Sequence, residues 1–238
     1  MSGTSENSLG SDAVSALILA AGKGERIGGQ PKALVKFAGV TLLEHVVALV
    51  RPLVSEFVIG LPRGIVRKGR DILADQETVL TTGGATRQQT VARLLAKATR
   101  EFVLIHEVAH PFTPPSLFSA FLAAAAANGA AVAGIVASPR DSLAYRDGGF
   151  IGRALPRNDV VALQSPMAIR RDILEKVLRR ADERGWMETS LANLVARAGH
   201  PVRVVPGDPE NLKITFAEDL ERLRDNRPAG NGSKGYVD

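Results

Sequence analysis

Short apolar runs alternate along this chain with stretches whose apolar residues recur every three or four positions, and few folds accommodate that order. Val14–Leu19 and residues 57–61, 78–82, 102–106 and 131–137 read as strands. Between them, Leu42, Leu43, Val46, Val47 and Val50 mark the buried face of one helix, and Val91, Leu94 and Leu95 that of another. Residues 64–74 and the alanine-rich 114–128, opened by prolines and closed by Gly129, complete the series. Thr41 and Glu44 have the spacing of a capping box and set the first helix start, after a turn at 37–41. Strands and helices in this rhythm predict an α/β domain with a mostly parallel sheet, its ligands beyond the carboxyl ends of the strands.

The rhythm changes after Pro139. Residues 141–156 hold two extended segments around Asp147-Gly148-Gly149, which predicts a β-hairpin arm over 139–157. A lone hairpin can hardly bury a core, so the arm is expected to pack on a partner. The sheet resumes at 160–164, helices are expected at 170–184 and 188–198, strands at 202–205 and 212–215, and a closing helix at 216–224. Residues 1–12 and 226–238 are polar and rich in Ser, Gly and Asn, which predicts disordered ends around one domain, 13–225.

A chain of 238 residues can bury one large core. It has no cysteine, which excludes disulfides, thiolate catalysis and zinc–cysteine sites. The N-terminus lacks the basic start and apolar run of a signal peptide, and no apolar run reaches the roughly 18 residues that span a bilayer. A cytoplasmic protein without membrane contact is the expectation. The net charge of +5 and pI near 9.8 invite a nucleic-acid reading. The basic residues are scattered, however, and aromatic residues make up only 5%, so small anionic ligands are the expected partners and nucleic acid is not.

The first strand runs into Ala20, Ala21 and Gly22, then into a basic loop that ends at Pro31-Lys32. Small side chains at a strand end let a ligand lie against backbone amides, and Lys23, Arg26 and Lys32 offer cations to a polyphosphate. The dinucleotide fingerprint fails, because its third glycine position is Ile27. A Walker loop fails as well, since the nearest text puts Arg70 and Asp71 where Lys and Ser/Thr belong. Gly83 and Gly84, followed by Arg87 and Thr90, repeat the strand–glycine–helix arrangement.

The run Leu19-Ala20-Ala21-Gly22-Lys23-Gly24-Glu25-Arg26 with its downstream Pro31-Lys32, taken with Gly83-Gly84-Ala85-Thr86-Arg87-Gln88, resembles the sugar- and polyol-phosphate nucleotidyltransferases. It is most similar to the 2-C-methyl-D-erythritol 4-phosphate cytidylyltransferases, from Val14 to Leu223. The resemblance implies a single Rossmann-like nucleotidyltransferase domain with a protruding hairpin arm that builds a homodimer. It also implies CTP and a phosphorylated polyol as substrates, with Mg2+ accompanying the triphosphate. A phosphate monoester is already a nucleophile, so such a reaction needs cations on loops rather than a triad.

On that resemblance Arg26 and Lys32 stabilise the transition state, while Ala20, Ala21, Gly22, Lys23 and Gly24 form the nucleotide-binding backbone. Gly83, Gly84, Arg87 and Thr90 lie near base and ribose. Glu107 stands where the family has a metal-binding Asp, and His110 where it has an Arg that grips the second substrate's phosphate. His106 beside it reads as a structural strand-end residue. Arg157 and Lys213 match residues that position the second substrate, and Ser142 and Ser165 replace threonines that touch the polyol. The departures, Met167 in place of Gln and Trp186-Met187 in place of Thr-Asp, fall on the acceptor side. They leave open another polyol phosphate, such as ribitol 5-phosphate, or a nucleotide-binding protein without catalysis.

Overall fold

β1 (Val14–Leu19) buries apolar side chains on both faces, Ala16 and Ile18 on one and Leu17 on the other. Such a strand belongs in the middle of a sheet covered by helices on each side. In the computed structural model, which describes residues 9–74, 77–128, 131–136 and 142–219, that is where it lies. The strands that follow are β2 (Lys36–Phe37), β3 (Val40–Thr41), β4 (Glu56–Leu61), β5 (Thr78–Thr82), β6 (Phe102–Glu107) and β7 (Ala131–Val136). After them come β8 (Leu143–Asp147), β9 (Phe150–Leu155), β10 (Ala162–Arg170) and β11 (Val202–Pro206). The main sheet has the order β11-β7-β10-β6-β1-β4-β5.

Helices α1 (Leu42–Val50) and α4 (Pro115–Asn128) cover one face, with Phe118 and Phe121 fully buried beneath α4. α3 (Arg87–Leu95), α5 (Arg171–Glu183) and α6 (Leu191–Arg197) cover the other, while α2 (Val66–Leu73) packs beside β5. The expected capping box is formed: the Glu44 amide donates to Thr41 Oγ1, and the Thr41 amide donates to Glu44 Oε2. No helix among the described residues is long and apolar enough to cross a membrane.

The sheet is mostly parallel, as the alternation predicts, with one reversal. β10 is antiparallel to both β6 and β7 and runs on to Arg170, well past the expected end at residue 164. Its register shifts between Gln164 and Met167, around Ser165 and Pro166. Proline has no amide hydrogen for the ladder, so the strand bulges there. The bulge turns Ser165 toward the end of β6.

Other boundaries moved for local reasons. The turn at 37–41 is a small hairpin, β2 with β3. The helix expected at 188–198 starts at Leu191, because Ser190 caps it through the Asn193 amide. Residues 212–215 do not form a strand; one amide, that of Ile214, bonds to the Ala109 carbonyl. The closing helix is seen only at 217–219, and the rest of it lies outside the described residues. Order starts before residue 13: Leu9 packs on the core and Ser11–Ala13 make a 3-10 turn, while 1–8 and 226–238 lie outside the described residues.

The hairpin arm is present as β8 with β9, joined through Gly148 at φ 55°; residues 139–141 lie outside the described residues. Its apolar side chains are uncovered, Phe150 by 83% and Ile151 by 87%.

Candidate active site

The loop after β1 closes on itself. The Gly24 carbonyl accepts the amides of Ile27 and Gly29, each at 2.9 Å, and Gly24 sits at φ +73°. A Cβ there would stand 1.8 Å from the Gln30 carbonyl oxygen, which is backbone and cannot swing aside. Gly24→Ala is therefore expected to open the loop and weaken binding of the CTP that the resemblance implies at least about tenfold, with a stability loss of about 1–3 kcal/mol. Calorimetric titration and a urea melt check both.

Ala21, Gly22, Lys32, Gly84, Thr90 and Glu107 line a cavity of about 350 Å³ behind this loop. Lys32 Nζ donates to the Ile214 carbonyl at 2.6 Å. Burial holds its pKa below the ordinary lysine value, and the charges of Arg26 and Lys213 add to the effect. Arg26 is exposed and rests its guanidinium 5.5 Å from the Phe216 ring centre; Lys23 is also exposed. The Ala20 amide is bonded to the Gly60 carbonyl, so Ala20 offers a ligand its small size and no donor.

Gly83 is fixed by packing, because a Cβ there would meet Ala21 Cβ at 2.3 Å. The Gly84 amide donates to Thr90 Oγ1 at 2.9 Å, and that hydroxyl donates to the Thr86 carbonyl at 3.0 Å. Thr90 thus shapes the turn with both its hydrogen-bonding roles. α3 then begins at Arg87, whose side chain reaches across to the end of β6.

Glu107 is the hinge of the arrangement. Its Oε1 lies 2.5 Å from Arg87 and its Oε2 2.8 Å from Lys213. Burial alone would raise its pKa, but the two cations outweigh burial and hold it at about 2. A second cavity of about 530 Å³ opens on the far side, and Arg87, Glu107 and Lys213 belong to the walls of both. The second wall continues with Gln164, Ser165, Met167 and Ser190.

An ionised carboxylate at this junction fits the donor set of a magnesium ion that travels on a triphosphate. Among the described residues no group of three or more His, Cys, Asp or Glu could hold a metal by itself, so phosphates and water would complete the shell.

His106, fully buried, is structural, as the sequence suggests. Nε2 lies 3.0 Å from the His110 carbonyl and Nδ1 3.0 Å from Ser165 Oγ. Burial pushes its pKa down to about 3, and the neighbouring His110 contributes. The unfolded chain takes up this proton as pH falls below about 6.5, whereas the folded chain resists it until about 3. Stability is therefore expected to fall as pH drops through that window, by at most about 1.4 kcal/mol per pH unit for this group. Urea midpoints measured against pH should lose this component in His106→Gln.

His110 is buried and turns Nδ1 to Asn211, 3.2 Å from Oδ1. Burial lowers its pKa below the usual histidine value. It is a cavity-wall residue tied to the late loop, and brings no permanent charge to replace an arginine. Ser142 is exposed ahead of β8 and lines neither cavity. Arg157 opens a 3-10 turn, Arg157–Asp159, and its side chain lies outside what is described.

Asn211 was not singled out by its sequence. Buried to 1% exposure, it donates Nδ2 to the Ser165 carbonyl at 2.7 Å and accepts from Thr113 at 2.7 Å. The only sequence signal was its place two residues before Lys213, since a buried amide that fastens two loops has no local pattern. Of the acceptor-side departures, Met167 packs on the core and also lines the larger cavity, Trp186 packs against Arg180 and Arg197, and Met187 is exposed.

A family model described as 2-C-methyl-D-erythritol 4-phosphate cytidylyltransferase matches residues 14–224. A protein of that name from Deinococcus radiodurans is 41% identical over 205 residues, covering 86% of this chain and 85% of the relative. One from Thermus thermophilus is 38% identical over 207 residues, covering 87% and 93%. The crystal structure of 2-C-methyl-D-erythritol 4-phosphate cytidylyltransferase from Thermus thermophilus superposes with a TM-score of 0.74 at 33% identity, covering 89% of this chain and 97% of that one. With the glycine loop, the second glycine turn and the charged junction all inside the matched span, the chain belongs to the 2-C-methyl-D-erythritol 4-phosphate cytidylyltransferase family.

Proposed function

We propose that the protein transfers CMP from CTP to 2-C-methyl-D-erythritol 4-phosphate with release of pyrophosphate, a step of the non-mevalonate isoprenoid pathway. The observation that carries this reading is the wall of Arg87, Glu107 and Lys213 common to two cavities, one of them behind a glycine-rich loop. Reactants held on either side of that wall meet there without the entropic cost of an encounter. An oxygen of the acceptor's phosphate attacks the α-phosphorus of CTP. A new P–O bond forms as the bond from Pα to the bridging oxygen of the β-phosphate breaks, and pyrophosphate leaves with the electron pair.

The nucleophile needs no base at neutral pH, so the residues position reactants and neutralise charge. Lys32 and Arg26 act on the α-phosphate, Lys32 as a point charge and Arg26 as a fork once it leaves Phe216. The backbone of Ala21, Gly22, Lys23 and Gly24 receives the nucleotide, and the Gly83–Gly84 turn, shaped by Thr90, receives base and ribose. Lys213 and Arg157 hold the acceptor's phosphate, with Ser142 and His110 on the polyol side. Glu107 would hold Mg2+ together with the phosphates, and an ion bound there would supply further neutralisation of the triphosphate.

The open apolar face of the arm supports docking on a second copy of the chain. We also assign the protein to the cytoplasm, with residues 13–225 as the catalytic domain. The family match over residues 14–224 supports 2-C-methyl-D-erythritol 4-phosphate as the acceptor. Pyrophosphate release with CTP and a panel of polyol phosphates tests the reading. Turnover of ribitol 5-phosphate alone would move the acceptor, and CTP binding without any turnover would leave a nucleotide-binding protein.

A further inference from the structure

Ser165 was expected to offer its hydroxyl to the polyol, but the hydroxyl is engaged inside the protein. The Glu107 amide donates to Ser165 Oγ at 3.2 Å, and Oγ lies 3.0 Å from His106 Nδ1. The far ring nitrogen, Nε2, lies 3.0 Å from the His110 carbonyl, which can only accept. Nε2 therefore carries the hydrogen, and in a neutral ring Nδ1 must accept. The Ser165 hydroxyl accordingly donates to His106 and keeps its lone pairs for the Glu107 amide. The His110 amide donates back to the Glu107 carbonyl at 3.0 Å, which closes the turn from 107 to 110.

We propose that His106 and Ser165 form a positioning relay for Glu107. The buried ring orients the Ser165 hydroxyl, the hydroxyl fixes the Glu107 backbone, and the carboxylate is thereby set at the junction of the two cavities. His106 lines neither cavity, and Ser165, although it stands in the wall of the larger one, acts here through Glu107. The bulge in β10 is what brings the serine within reach of β6, and Asn211 Nδ2 bonded to the Ser165 carbonyl keeps it there. The catalytic consequence of the relay rests on the cytidylyltransferase reading; its hydrogen bonds do not.

The test uses the full chain. Ser165→Ala is expected to lower kcat about 10²-fold with the KM for the acceptor little changed, as a misplaced catalytic group does. Ser165→Thr returns a hydroxyl to the same atom and should recover most of the loss. His106→Gln keeps an N–H for the His110 carbonyl but gives the serine no ring nitrogen, and the double variant with Ser165→Ala should be no slower than the slower single one.

A readout independent of turnover is the 15N resonance of the His106 ring in the ligand-free protein. The Nδ1 signal should report an unprotonated nitrogen, move in Ser165→Ala and stay in Ser165→Thr. Three results would overturn the relay: a loss in Ser165→Ala confined to the acceptor KM, additive losses in the double variant, or a ring signal indifferent to Ser165. If the wild type releases no pyrophosphate with any polyol phosphate, the functional reading falls, and the ring signal still decides the relay.

Discussion

Lys32→Met is expected to fold as the wild type does and to lose turnover by about two to three orders of magnitude. The side chain stands in the wall of the smaller cavity, and one of its three N–H groups is bonded to the Ile214 carbonyl. That bond fixes the ammonium without neutralising it, so its charge is available to a phosphate. A preorganised donor aimed at developing negative charge contributes about 3 kcal/mol, which gives the expected loss. Methionine preserves the unbranched stem and much of its packing. The loss should fall on kcat, with CTP affinity changed far less, because the charge it answers grows as pyrophosphate departs. Stopped-flow or steady-state pyrophosphate release, with a thermal melt as control, decides it. A kcat near the wild-type value would mean that the loop faces something other than the reacting phosphate.

Glu107→Gln is expected to push binding and turnover in opposite directions. In the ligand-free protein the carboxylate ties up two cations, Arg87 and Lys213, one on each oxygen. Removing its charge leaves the wall shared by the two cavities more positive, so CTP without metal should bind about tenfold more tightly, or about 1.4 kcal/mol. The same change deletes the one carboxylate that, among the described residues, lines both cavities. The gain in CTP affinity that Mg2+ confers on the wild type should shrink, and kcat should fall by at least about 10²-fold. Calorimetry with and without Mg2+ separates the two effects. Unchanged metal-free binding would show that the charge of this wall does not act on the triphosphate. The stability cost should be modest, because both cations are partly exposed and regain water.

Much of the site was legible because its parts obey local rules. A strand that ends in Ala-Ala-Gly and a glycine pair before a helix announce a surface for backbone approach, and Gly24 and Gly83 are glycine for steric reasons that the structure exhibits. The capping box at Thr41 and the two-faced apolar character of β1 were equally local. Hydroxyl direction was not. Thr90 and Ser165 were assigned to ligands because both sit in functional motifs, yet both hydroxyls are engaged by the chain itself. A sequence gives a hydroxyl's position and leaves its partner to the packing around it.

The alternation of strand and helix, the two glycine turns, the cations on the first loop and the want of any thiol were settled by the order of the residues. These follow from backbone sterics and from the periodicity of apolar side chains, which act over a few positions. The fold alone decided that β10 runs against its neighbours, that Ser165 reaches β6 across a sequence separation of 58, and that Glu107 meets Lys213. Such pairings form only when distant segments dock. Their energy depends on which polar groups the docking leaves to be satisfied, and no local pattern encodes that.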